Sequence, residues 1–118
     1  MSTLNRVTLL GNLGGAPELR YTQSGNSVCS FSIATTEKWS KDDEKREKTQ
    51  WHKIVVWGKQ GENCAKYLRK GRSVLVEGKL ESRSWEDKEG NKKYSVEIIA
   101  SNVVFVGSQK NGGSESSK

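Results

Sequence analysis

Trp51-His52-Lys53-Ile54-Val55-Val56-Trp57-Gly58, followed by the stretch from Lys59 to Gly71, is where the chain changes its hydrophobic period from two to about 3.6 residues. Alternate side chains of a strand point the same way, so one face of the first segment reads Trp51, Lys53, Val55, Trp57 and the other His52, Ile54, Val56. The second face is the expected core side. The first sets two flat indoles around a cation, a surface on which unstacked bases can lie while the ammonium neutralises phosphates. Burying both faces would cost too much, because an unpaired ammonium at Lys53 would lose its hydration. In the second segment Cys64, Tyr67 and Leu68 fall at i, i+3 and i+4, Arg69 and Lys70 close the last turn, and Gly71 stops it. The spacing predicts a short helix over Gln60–Lys70.

Working outward, the run Arg6–Leu13 reads as a first strand that ends at Gly14-Gly15-Ala16-Pro17. After a turn at Ser24-Gly25-Asn26, a second strand alternates Cys29, Phe31, Ile33 against Val28, Ser30, Ser32. The mixed-charge stretch Ser40–Lys48 is too polar for a core and is expected to be the exposed tip of a long hairpin leading into the Trp51 strand. Beyond the helix, a strand from Val74 to Trp85 carries Gly78 in its interior, the mark of a bulge or a barrel corner. Glu86–Lys92 is the next hairpin tip, and a last strand runs through Tyr94, Val96, Ile98, Val103 and Phe105. The order β-β-β-α-β-β, with its single helix between strands three and four, predicts an all-β fold: a five-stranded Greek-key barrel of the OB type. A four-stranded RNA-recognition sheet would need a second helix. Residues 1–106 form the expected domain, and 107–118 have nothing to bury and read as a flexible polar tail.

At 118 residues there is room for one modest core. Lysine and arginine number 20 against 14 acidic residues, and the net charge of +6 favours a polyanionic partner. No signal core, transit segment or run of about 20 apolar residues is present, so a cytoplasmic protein associated with the bacterial nucleoid is expected. Cys29 and Cys64 are two isolated cysteines, read as reduced, packed thiols.

Sharper chemistries find little footing. Gly11-Asn12-Leu13-Gly14 has the GxxG pattern of a KH clamp, but that loop joins two helices and this one ends a strand. It lacks the Lys-Ser/Thr of a phosphate-binding P-loop. His52 is the only histidine and has neither cysteine at zinc-ligand spacing, so no metal and no cofactor are expected. Nothing pairs it with a distinguishable nucleophile, and no catalytic residue is assigned. Asp42-Asp43-Glu44 is interleaved with Lys41, Lys45 and Arg46 and reads as a solvated tip. Lys79, Arg83 and Trp85 share one face of their strand, with Glu77 and Glu81 beside them. Trp39 has the parity of Phe31 and Ile33, so its exposure requires a bulge or strong coiling.

Taken in order, Val7–Gly14, Pro17–Tyr21, Phe31–Thr35, Glu37-Lys38-Trp39, Trp51–Lys59, Tyr67–Gly71 and Val76–Leu80 with Trp85 resemble the bacterial single-stranded DNA-binding protein family, over nearly the whole chain to about Val106. The resemblance implies an OB fold, a homotetramer around which the strand wraps, and a role in protecting exposed DNA during replication, repair and recombination. It implies stacking by Trp39, Trp51, Trp57 and Trp85, the third replacing a phenylalanine common in the family. Basic positions resembling the family's path are Arg6, Lys53, Lys59, Lys70, Lys79 and Arg83, with Val55 on the same face, and His52 takes the place of a residue near a subunit contact. Many members end in an acidic tip with a terminal Pro-Phe that docks replication and repair proteins, whereas this chain stops at Ser116-Ser117-Lys118. The residues themselves leave DNA and RNA both open, an RNA chaperone or translational regulator on the same fold being the alternative, because stacking and phosphate contacts ignore the 2′-OH.

Overall fold

A computed structural model of the chain describes residues 2–107. The elements are β1 (Val7–Leu13), β2 (Glu18–Tyr21), β3 (Ser27–Lys41), β4 (Glu44–Trp57), α1 (Gly58–Tyr67), β5 (Ser73–Glu86) and β6 (Lys92–Val106). Five of the six strands close a barrel: β1 pairs with β5, β5 with β6, β6 with β4 in parallel, β4 with β3, and β3 returns to β1 through Asn12↔Ala34 and Leu13↔Ile33. The expected five-strand Greek-key barrel is therefore present. The sixth strand, β2, stands outside the expected five and lies along β3, Glu18↔Ser30 to Tyr21↔Ser27. Four residues behind a proline carry too short an alternation to stand out as a strand.

The barrel fills as the alternation dictates. Phe31 and Ile33 on β3, Ile54 and Val56 on β4, Val74 and Val76 on β5 and Ile98 on β6 turn inward with Leu13. The helix closes one end by adding Cys64, with Leu68 just past its C-terminus. That helix occupies Gly58–Tyr67 rather than the expected Gln60–Lys70. Leu68 adopts an extended backbone and is 1% exposed, so sending its side chain into the barrel ends the helix early and leaves Lys70 outside it. Gly78 sits at the foreseen irregularity. The β5–β6 register slips between Glu77↔Asn102 and Gly78↔Ala100, and a Cβ on Gly78 would lie 2.8 Å from the Ala100 Cα. Cys29 and Cys64 are both free and buried.

Both long hairpins outrun the barrel. β4 and β6 pair only over Lys53–Val55 and Glu97–Ile99, so beyond that point β3–β4 and β5–β6 separate into two-stranded arms. The first arm turns on Asp42 and Asp43, both at positive φ (52° and 66°), the conformation a two-residue hairpin loop demands. The expected Ser40–Lys48 tip is exposed throughout, but strand pairing reaches Lys41↔Glu44. The predicted polar tail lies, apart from Gly107, outside the described residues.

Candidate nucleic-acid interface

The register assembles one continuous outer face from β3, β4, β6 and β5. On β4 it presents Trp51, Lys53, Val55 and Trp57, backed across the ladder by Ala34, Ser32, Ser30 and Val28 of β3. Lys53 stands beside Glu97 and Val55 beside Ile99 on β6. Opposite these on β5 come Glu81 and Lys79, and farther out along the arm Arg83 and Trp85. Trp51, Trp57 and Trp85 are 60%, 48% and 49% exposed. Half-open indoles on paired strands offer flat apolar surfaces that a flat partner can cover. Val55 keeps the expected face and is buried on it, forming groove floor between Lys53 and Trp57.

The face is grooved by three linked recesses. The first, about 390 Å³, is walled by Gly14-Gly15-Ala16 on one side and Trp51 and Lys53 on the other. The second, about 450 Å³, shares Ser30 and Lys53 with it and continues past Trp57, Arg83 and Arg20. The third, about 500 Å³, shares Ile99 with the second and holds Arg6 and Lys79, with the Arg6 guanidinium 3.7 Å from Glu77. A chain of open recesses that share walls suits a linear polymer better than an enclosed small molecule.

Other expected site residues lie off this path. Trp39 is 45% exposed, yet not through a bulge: the β3–β4 register is unbroken from Val28↔Trp57 to Lys41↔Glu44. It keeps the parity of Phe31 and Ile33, and it is exposed because the arm has left the barrel behind. Trp39 and Trp51 therefore occupy opposite faces of one hairpin. Lys59 in the first turn of α1 and Lys70 beyond it are exposed and line none of the three recesses. His52 is half-buried on the core-side parity, its Nε2 2.9 Å from the Thr35 hydroxyl.

Three residues at the groove were not among the expected site residues. Gly14, expected to end the first strand, lies under the Trp51 ring: a Cβ there would come within 2.7 Å of the indole Cη2. Arg20 enters the groove on β2, the unforeseen strand. Glu97 is 4% exposed, and its Oε2 lies 3.3 Å from Lys53 Nζ and 3.4 Å from Arg83 Nη1. The signal for Glu97 was a lone acid in the apolar run Val96-Glu97-Ile98-Ile99, on the strand face opposite Ile98. Among the described residues, no three His, Cys, Asp or Glu side chains gather as a metal site. No described helix is long and apolar enough to cross a membrane.

A closed five-stranded barrel with one helix inserted before β5, carrying Trp51, Lys53 and Trp57 of β4 and Arg83 and Trp85 of β5 on one outer face, defines an OB-fold protein of the oligonucleotide-binding kind. The chain belongs to the single-strand binding protein family, which it matches over residues 4–106. It is 46% identical over 115 residues to single-stranded DNA-binding protein 1 of Chlorobaculum tepidum, an alignment covering 96% of this chain and 71% of that protein. Its similarity to single-stranded DNA-binding protein 1 of Xylella fastidiosa is 44% identity over 112 residues, covering 93% and 82%. Among solved structures, a Plasmodium falciparum SSB in complex with ssDNA superposes with a TM-score of 0.83 at 37% identity, over 91% of this chain and 98% of that one.

Proposed function

We propose that this chain binds single-stranded DNA, largely without regard to sequence and without catalysing a reaction on it, and so protects exposed strands in replication, repair and recombination. The observation that carries this reading is the single face on which Trp51, Trp57 and Trp85 stand half-open around Lys53 and Arg83. Bases stack on the indoles and phosphates meet the cations. Stacking contributes roughly 1–3 kcal/mol per base in OB-fold single-strand binders as a class. Every base has a π-face, hence the indifference to sequence. The names of the Chlorobaculum and Xylella relatives and the bound strand of the Plasmodium structure support the same ligand.

In this reading Arg6 and Lys79 extend the path at one end, Trp39 takes up strand that passes around the β3–β4 arm, and Lys59 and Lys70 add to the general attraction. Residues 1–106 form the binding unit. We further propose a homotetramer. The outward row Leu10, Leu75 and Val104 crosses β1, β5 and β6 in register, and Leu10 and Val104 are 58% and 42% exposed, an apolar patch that a second copy would cover. His52, on the inner side of the arm, contributes to assembly.

The test is a titration of intrinsic fluorescence with oligo-dT. The wild type should be strongly quenched, and Trp51→Ala should weaken binding by about 1–3 kcal/mol. A folded Trp51→Ala protein with wild-type affinity would remove that residue from the site. Preference for oligo-rU in competition would move the reading to RNA.

A further inference from the structure

Acidic side chains are out of place in a groove for a polyanion, and the middle recess holds two. Glu81 and Glu97 stand directly opposite one another on β5 and β6, a like-charge pair that works against the ladder. Glu97 is also the most deeply buried charged side chain on the face, at 5% side-chain exposure. A carboxylate so placed must be compensated, and two cations from two different strands converge on its Oε2: Lys53 of β4 and Arg83 of β5. Those cations are themselves 49% and 61% exposed, so they reach into the groove while anchored from below. The trio carries only a single net positive charge.

We propose that Glu97 is a built-in competitor for the phosphates of the bound strand, engaging Lys53 and Arg83 in the free protein and lowering their hold on nucleic acid so that the strand stays exchangeable. The inference rests on the single-strand-binding reading of the groove. An arriving phosphate draws on the same groups that compensate the carboxylate, the Lys53 ammonium as an ion pair and the Arg83 guanidinium as a hydrogen-bonded one, and each gain at the phosphate is offset by a loss at Glu97. A groove of bare cations would bind more tightly and release more slowly. For a protein that must yield its strand to whatever acts on it next, the acid sets the rate of release.

The experiment compares the wild type with Glu97→Gln, which keeps the side chain's size and removes its charge. Glu62→Gln on α1, outside all three recesses, serves as the control for a general gain of one positive charge. Glu97→Gln should bind oligo-dT more tightly and dissociate more slowly, with a log–log salt slope steeper by about 0.7. Its advantage over the wild type should then grow roughly 2.6-fold for each fourfold dilution of salt. Glu62→Gln should show neither change. Affinity at or below wild type in Glu97→Gln, or an equal gain in the control, overturns the competitor role.

A second measurement needs no mutant. In the wild type, the Glu97 carboxyl carbon resonance should move on saturation with oligo-dT, as its ion pairs are traded for phosphate. A resonance that stays put while the tryptophan signals shift would show that the cations never leave Glu97, and would equally overturn the proposal. A wild type that no oligonucleotide quenches would instead overturn the binding reading itself.

Discussion

At the residue scale, Trp51 is distinguished by the glycine beneath its ring. Trp51 lies over Gly14, and the absence of a side chain there lets the indole settle against the backbone of the β1–β2 connection. Gly14→Ala should therefore behave as a partial Trp51 mutant. The added Cβ forces the ring off its seat, and oligo-dT affinity should fall by up to the roughly 1–3 kcal/mol that one stacked base contributes. Thermal stability should change little, because Trp51 is 60% exposed. Paired melts and fluorescence titrations would check both halves; a destabilised protein with unaltered affinity would contradict the account. The buried thiols belong to this scale too. Burial pushes Cys29 up to about 11 from an ordinary 9.0, and burial, followed by the nearby Cys29 charge, pushes Cys64 to about 12. The folded state thus holds both protons more tightly than the unfolded chain. That contribution is fully present below pH 9.0 and is lost as pH rises from 9 toward 11 and 12. Urea unfolding should show stability declining across that window, and thiol reagents should find both cysteines only after denaturation. Rapid labelling of the native protein would argue against it.

At the scale of elements, the two arms carry the aromatics that the barrel cannot. A lone two-stranded hairpin is marginally stable in water, so long arms bearing exposed indoles make physical sense only if something covers them. The β3–β4 arm divides its tryptophans between faces: Trp51 shares the groove face with Ser32 and Lys53, Trp39 the opposite one with Thr35 and His52. A short strand cannot reach both. Trp39→Ala should thus leave affinity unchanged for oligomers at the short end of the roughly 4–16 nucleotides an OB fold covers, and weaken binding of long ones. Trp51→Ala should weaken both. Equal losses at every length would place the two rings on one track, against the register.

At the scale of the whole molecule, two regions of the barrel's outer surface differ in character. One is grooved and cationic across β3, β4, β6 and β5; the other, across β1, β5 and β6, is crossed by the Leu10–Leu75–Val104 row. Association of copies through the second would leave the groove of the first open to a strand. Leu10→Lys places a charge within the apolar row and should shift sedimentation toward smaller species while leaving quenching per chain intact. An unaltered sedimentation profile would send the search for the subunit contact elsewhere on the surface.

Alternation and period alone determined the architecture. Inward Ile54 and Val56, a helix between strands three and four, and Gly78 at a corner leave few ways to bury these side chains other than a five-stranded barrel. The same alternation placed Trp51, Lys53 and Trp57 together, because neighbours along a strand share a face whatever the rest of the chain does. What brings strands side by side is not written in any one of them. Only the closed barrel decided that Lys53 and Arg83 meet over Glu97 and that Gly14 lies beneath Trp51. Those contacts depend on register between distant segments, and register is set by how all the inward side chains pack at once.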